Sequence, residues 1–141
     1  MPATPAERTT PDASRGQPAG PIAVVAAMFA ALEAGDIDAI DALYADDLIV
    51  WTNFTKVESP KSPSLKLVAW LARSVQGLRY EIIARHEIAD GVVQQHVLHG
   101  TAPDGTELHA PACLVVKVRD GSIVRIDEYL NVADVAALMA G

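Results

Sequence analysis

Residues 100–131 read GTAPDGTELHAPACLVVKVRDGSIVRIDEYLN. Two runs of period-two alternation, Glu107–Arg119 and Ser122–Leu130, flank the pair Asp120-Gly121. An Asp-Gly pair between alternating runs is a strong sign of a β-hairpin, because a type I′ turn needs positive φ at both central residues. In the first run Leu108, Ala110, Ala112, Leu114, Val116 and Val118 make one apolar face, with His109 and Cys113 opposite. In the second, Val124, Ile126, Glu128 and Leu130 share one face, and Ile123, Arg125, Asp127 and Tyr129 the other. The face with Val124 is apolar apart from one residue, so it is predicted to look into the core and to carry Glu128 with it. An isolated buried carboxylate costs several kcal/mol. Glu128 therefore needs a partner, a raised pKa or access to a water-filled pocket.

Upstream, the same alternation runs through Arg79–Ile88 and Val92–Thr101, with ADG and PDG as the turns. Four hairpin-linked strands make an antiparallel sheet. Before them the period is helical. Ile22, Val25, Phe29 and Leu32, with Met28 beside them, form the stripe of a helix that starts at Pro21. Gly35 closes it as a left-handed cap and Asp36 caps a second helix carrying Ile37, Ile40, Leu43 and Tyr44. Leu48–Phe54 is β-branched and aromatic, hence a strand, with Ile49, Trp51 and Asn53 on one face. After a loop, ESPKSPS, a third helix starts at Ser62-Pro63 and buries Leu67, Val68, Leu71 and Val75. Asn131 with Asp134 resembles a capping box opening a short last helix through Met139. The order α-α-β-α-β-β-β-β predicts an α+β fold, a curved antiparallel sheet packed against three N-terminal helices. A curved sheet closed this way is a cone with an internal pocket.

Residues 1–20 hold four prolines and no large aliphatic side chain after Met1, so they read as a disordered arm, with one domain over residues 21–141. The length suits one domain with a sizeable core. Formal net charge is -7 and there is no Lys/Arg run, which argues against nucleic acid and against an anionic membrane surface. One cysteine, Cys113, provides neither a disulfide framework nor a thiolate metal cage. No apolar stretch reaches the ~18 residues a bilayer span needs. No basic start precedes an apolar run, so the expected location is cytoplasmic.

Several side chains then carry chemistry. Glu128, desolvated toward neutrality, would move protons. His96 shares one face with Val92, Gln94 and Leu98, and Val93, Gln95, Val97 and His99 share the other; which of the two looks inward is ambiguous. If inward, His96 would be the second proton carrier and Gln94 a hydrogen-bond donor. His86 falls on the apolar face of Arg79–Ile88, together with Tyr80, Ile82, Ala84 and Ile88. Each histidine also has a structural reading, as a donor to a backbone carbonyl. His96 and His99 point to opposite faces and cannot chelate together, so no metal is expected.

The stretch MFAALEAGDIDAIDALYADDLIVWTNFT and the hairpin quoted above resemble the nuclear-transport-factor-2-like fold, and within it the SnoaL-like group of polyketide cyclases. Limonene epoxide hydrolase and ketosteroid isomerase are more distant relatives. The resemblance spans roughly residues 21–140 and is specific for fold, not reaction. By position, Trp51 and Asn53 look like the tyrosine and asparagine that hold water in the epoxide hydrolases, and Glu128 lies where those have an acid/base aspartate. Those hydrolases also use an arginine on a middle strand, where this chain reads VVQQHVLHG and has none. Ketosteroid isomerases use a tyrosine hydroxyl as an oxyanion donor, and Tyr44 and Tyr80 are the candidates here. The resemblance implies a homodimer. The expected activity is cofactor-independent acid–base chemistry on a small apolar molecule: isomerisation, cyclisation or water addition. Glu128 and His96 would be catalytic, Trp51, Asn53, Gln94 and His86 would contact substrate, and Leu98 and Ile126 would shape the walls. The alternative is a non-catalytic ligand-binding or assembly domain.

Overall fold

The computed structural model describes residues 20–139. The arm expected at residues 1–20 lies outside them apart from Gly20. Helix α1 is Pro21–Ala34 and α2 is Ile37–Leu43. Strand β1 is Tyr44–Thr52, β2 is Glu58–Pro60, and helix α3 is Lys61–Ser74. Strands β3 (Gln76–Ile88), β4 (Gly91–Thr101), β5 (Glu107–Arg119) and β6 (Ser122–Leu130) follow. A 3-10 turn, Val132–Val135, leads into the short α4, Ala136–Met139. The fold is mixed α+β, with the helices against an open, curved six-stranded sheet.

The local signals act as their chemistry dictates. Gly35 takes φ 68° and donates its N–H to the end of α1, while Asp36 Oδ1 accepts from the Ala39 N–H at 3.1 Å. Asp120 and Gly121 both have positive φ, as a type I′ turn requires. Asn131 Oδ1 accepts from the Ala133 N–H, so the last helix opens as a 3-10 turn.

Sheet order is β2-β1-β6-β5-β4-β3. Two features depart from expectation. The segment expected to be a loop supplies β2, the edge strand beside β1. Strand β1 then pairs in parallel with β6, so one junction of an otherwise antiparallel sheet is parallel. The helical connections carry the chain from one end of the sheet to the other, and a parallel pairing needs such a crossover.

The core lies between α1, α2 and the concave face. Val24, Val25, Met28 and Phe29 of α1 pack with Ile40, Leu48, Val92, Leu114, Val116, Ile123 and Ile126. All of β5 follows the expected parity: Leu108, Ala110, Leu114 and Val116 are buried, and Ala112 and Val118 pack beside them. Helix α3 is held more loosely. Only Ser64 is buried there, and Leu67, expected inside, is 58% exposed.

Candidate functional site

Strand β6 places the acid. Glu128 registers with Thr52 on β1 and Leu114 on β5, and residues directly opposite in a sheet share a face. Leu114 is core, so Glu128 is turned inward, half-buried, with buried Ile126 two residues before it. A bulge corrects the reading further up the strand. Lys117 pairs with Arg125 but Val118 pairs with Ile123, leaving Val124 as an extra residue. Ile123 therefore also points inward, at 0% exposure, although strict alternation had put it outside.

Among the described residues the Glu128 carboxyl has neither an ion pair nor a hydrogen bond. Burial pushes its pKa from 4.5 up to about 7. Two phenols share its surroundings. Burial, and then the Glu128 charge, raise the Tyr44 hydroxyl; Tyr80 responds to the same two causes in the same order, with smaller contributions from Tyr44 and Glu33. Both therefore stay protonated and can donate.

Strand β4 supplies a second polar group. Val92, Gln94, His96 and Leu98 occupy the concave face, which resolves the ambiguous parity; Gln94 is 0% and His96 3% exposed. Gln94 Nε2 lies 2.8 Å from His96 Nδ1, and Gln94 Oε1 accepts from Arg85 Nε at 2.6 Å. The His96 ring meets Phe29 at 5.1 Å and Tyr80 at 5.0 Å, both edge-to-face. Burial, helped by the Arg85 charge, lowers the His96 pKa from 6.5 to about 4. Near neutrality His96 is thus uncharged, with one ring N–H to donate and one ring nitrogen to accept. His96 and Glu128 do not touch through a hydrogen bond. In the sheet Gln94 registers with Leu114, and Leu114 with Glu128, so two strand spacings, roughly 10 Å, separate Gln94 from Glu128 at the backbone. Tyr80 connects the two groups: its ring lies on His96 and its hydroxyl feels Glu128.

Arg85 was not expected here. Ile82 pairs with His96 and Ala84 with Gln95, so Ile83 is an extra residue that inverts the parity of the rest of β3. Arg85 consequently registers with Gln94 on the concave face. His86, expected inside, registers with Val93 on the convex face and is exposed. It is thereby separated from Glu128 and His96. The sequence signal was Ile83 itself, an apolar residue in the otherwise charged set Arg79, Glu81, Arg85, Glu87.

Trp51 is the second correction. It registers with Asp127 and meets the half-exposed Tyr129 ring at 5.5 Å, so it lies on the convex face and does not wall the interior. Asn53 sits just past β1 at the strand ends. Its Oδ1 accepts from the Leu130 N–H at 3.0 Å, and its own N–H donates to the Glu128 carbonyl at 3.0 Å. That side chain anchors the C-terminal end of β6. Leu98 is on the concave face, packed against the second core cluster with Val75, Leu78 and Ala110.

Two open concavities among the described residues do not contain Glu128. One lies by Tyr44, Asp46, Asp47 and Arg119; the other is a groove of Ile83, Gln95, Val97, Pro111, Cys113 and Tyr129 that also reaches His96 and Ala112. Around the acid, Phe29, Tyr44, Tyr80, Leu114 and Ile126 belong to the packed core. No cluster of three metal-ligating side chains occurs among the described residues, and no helix there is long and apolar enough to cross a membrane.

Helices packed against an open, curved six-stranded sheet in this strand order make the nuclear-transport-factor-2-like fold of α+β proteins. Residues 25–126 match the SnoaL-like domain model, and the chain belongs to that family. Solved structures agree on the fold. The proposed polyketide cyclase IdmH of Streptomyces antibioticus superposes with a TM-score of 0.75 at 17% identity, over 87% of this chain and 100% of that one. An epoxide hydrolase of M. tuberculosis resembling limonene epoxide hydrolase gives 0.69 at 24% identity, over 85% and 90%. A protein from Catenulispora acidiphila with a ketosteroid isomerase-like fold, solved with trimethylamine, gives 0.71 at 18% identity, over 83% and 92%. A comparison with curated protein sequences found no match.

Proposed function

We propose that this SnoaL-like domain is a cofactor-independent acid–base enzyme for a small, mostly apolar molecule bearing a carbonyl or comparable oxygen. One observation carries the reading: Glu128 is turned inward and unpaired among the described residues, held near pKa 7 by burial, with two protonated phenols, Tyr44 and Tyr80, in its surroundings. A group with pKa near the working pH is the best compromise between availability and proton-transfer strength. In its ionised form Glu128 takes a proton from carbon beside the carbonyl. Charge develops on the oxygen, where the Tyr80 or Tyr44 hydroxyl and the His96 N–H would donate to it. Glu128 then returns the proton to a different carbon, or the enolate carbon attacks a second carbonyl and Glu128 protonates the new alkoxide. Isomerisation and aldol-type cyclisation thus share one machinery, and water addition would use the same acid. Substrate would reach Glu128 by parting α3 from the sheet, a 14-residue helix with one buried residue and an exposed Leu67. A homodimer and a cytoplasmic location accompany this reading.

The test is hydrogen exchange in deuterated water with a panel of bicyclic enones, followed by NMR. Wild-type protein should exchange the α-protons of at least one member, and Glu128→Gln should not. Equal exchange by Glu128→Gln overturns the mechanism. If instead Glu128 titrates near the ordinary ~4.3, and no apolar ligand perturbs it, the domain is a binding or assembly module.

A further inference from the structure

The three polar side chains on the concave face of β3 and β4 form a directed chain. Arginine Nε–H can only donate, so the Gln94 atom 2.6 Å away must be its carbonyl oxygen. That choice fixes the other end of the carboxamide: Gln94 Nε2, an obligatory donor, faces His96 Nδ1 at 2.8 Å. Nδ1 must accept, and in a neutral imidazole the proton then sits on Nε2. Gln94 is 0% and His96 3% exposed, so bulk solvent does not compete for these bonds.

We infer that Arg85 is a positioning residue which, through the Gln94 carboxamide, locks His96 as the neutral Nε2–H tautomer, leaving that ring N–H as a donor. Nε2 has no protein hydrogen-bond partner among the described residues. A buried N–H without a partner is rare in folded proteins, and it marks a place for a ligand oxygen. Arg85 itself has no carboxylate within ion-pair distance among the described residues, so its charge is free to polarise Gln94. The Ile83 bulge makes the device possible, since without it Arg85 would lie on the convex face. Only the consequence for turnover rests on the proposed enzyme reading; the tautomer is a property of the unliganded protein.

The experiment reads the imidazole nitrogens of His96 by two-bond 1H–15N correlation on full-length protein near pH 7. The wild-type spectrum should show the Nε2–H pattern. Arg85→Met should free the carboxamide to rotate and yield a mixture of both tautomers, with Arg85→Lys closer to wild type. Gln94→Glu replaces the amide donor by an acceptor, so His96 should become Nδ1–H or doubly protonated. An Nδ1–H pattern in the wild type, or an unchanged single Nε2–H pattern in Arg85→Met, overturns the lock. If Arg85→Met fails to fold, Arg85→Ala is read in the same way, and the wild-type spectrum tests the tautomer by itself. With the lock intact and no enone exchange in the wild type, the enzyme reading fails and the tautomer assignment stands.

Discussion

The Tyr80 ring stands edge-on to His96, with centroids 5.0 Å apart, and edge-on to Phe29 at 4.8 Å. The ring is therefore held by packing, not by its hydroxyl, which has no hydrogen-bond partner among the described residues. Edge-to-face pairs of this kind contribute about 0.5–1.5 kcal/mol beyond area burial. Tyr80→Phe should keep them and lose only the donor. Stability by urea unfolding should change by less than about 0.5 kcal/mol, while turnover of a reactive enone should drop by roughly 100–1000-fold, the usual effect of removing an oxyanion donor. Unchanged turnover would transfer the role to Tyr44.

Glu128 and His96 link stability to pH with opposite signs. Folding raises the Glu128 value from 4.5 to about 7, so its contribution is complete below pH 4.5 and is lost as pH rises toward 7. Folding lowers the His96 value from 6.5 to about 4, so its contribution is complete above pH 6.5 and is lost as pH falls toward 4. Each displacement corresponds to about 3 kcal/mol, and the two largely cancel between pH 4.5 and 6.5. Relative to wild type, Glu128→Gln should gain stability as pH rises through this window, and His96→Gln should gain as pH falls. Urea titrations at pH 4.5, 5.5, 6.5 and 7.5 measure both. Curves parallel to wild type would mean that neither group is desolvated in solution.

How much of this could be read from the chain depended on bulges. Strand β5 has none in its pairing with β4, and its six inward residues follow from alternation alone. Glu128 was legible for the same reason: the irregularity of β6 lies upstream, at Val124, and the strand is regular from Arg125 onward. Ile123, on the other side of that bulge, was misplaced. His86 and Arg85 exchanged faces because one extra residue inverts everything beyond it. Trp51 went wrong differently. Its neighbours Ile49 and Val50 are both apolar, so β1 has no polar face to set its phase, and the parallel partner β6 that fixes it is more than seventy residues away in sequence. The tautomer chain was illegible because it needs a contact between strands, Arg85 with Gln94, and the wrong parity forbade it.

Asn53 separates a structural from a catalytic role. Its Oδ1 is committed to the Leu130 N–H. Asn53→Ala should leave that donor unpaired and cost about 1 kcal/mol, with up to about 3 if water cannot reach it. Asn53→Asp, which keeps the acceptor, should recover most of the loss. A variant as stable as wild type but impaired in turnover would return Asn53 to the substrate.

The convex face is where a second copy would sit. Ile83 is 58% and Tyr129 46% exposed, beside Val97, Pro111 and Cys113 in one groove. Sedimentation of the wild type at micromolar concentration should give a dimer, and Ile83→Glu, which puts a charge into that groove, should shift it to monomer with the fold retained. A wild-type monomer would end the proposal.

Deleting Ile83 tests the link between backbone and site. Without the extra residue, β3 can pair regularly with β4 along one half only. If Tyr80 and Ile82 keep their places opposite Leu98 and His96, then Arg85 rotates to the convex face and His86 turns inward. If Arg85 stays on Gln94, then Tyr80 must leave Phe29 and His96, exposing an aromatic ring now packed against the core. Neither arrangement preserves both halves of the site. The first leaves Gln94 with an unpaired carbonyl and brings in an unpartnered histidine; the second should cost about 3 kcal/mol or more, comparable to truncating a buried aromatic. Circular dichroism with urea unfolding should therefore show a folded but weakened sheet, and His96 should lose its single Nε2–H pattern in the first case or its ring-current shift from Tyr80 in the second. A deletion variant with wild-type stability and an unchanged His96 spectrum would show that the bulge neither sets the parity of β3 nor brings Arg85 to the interior.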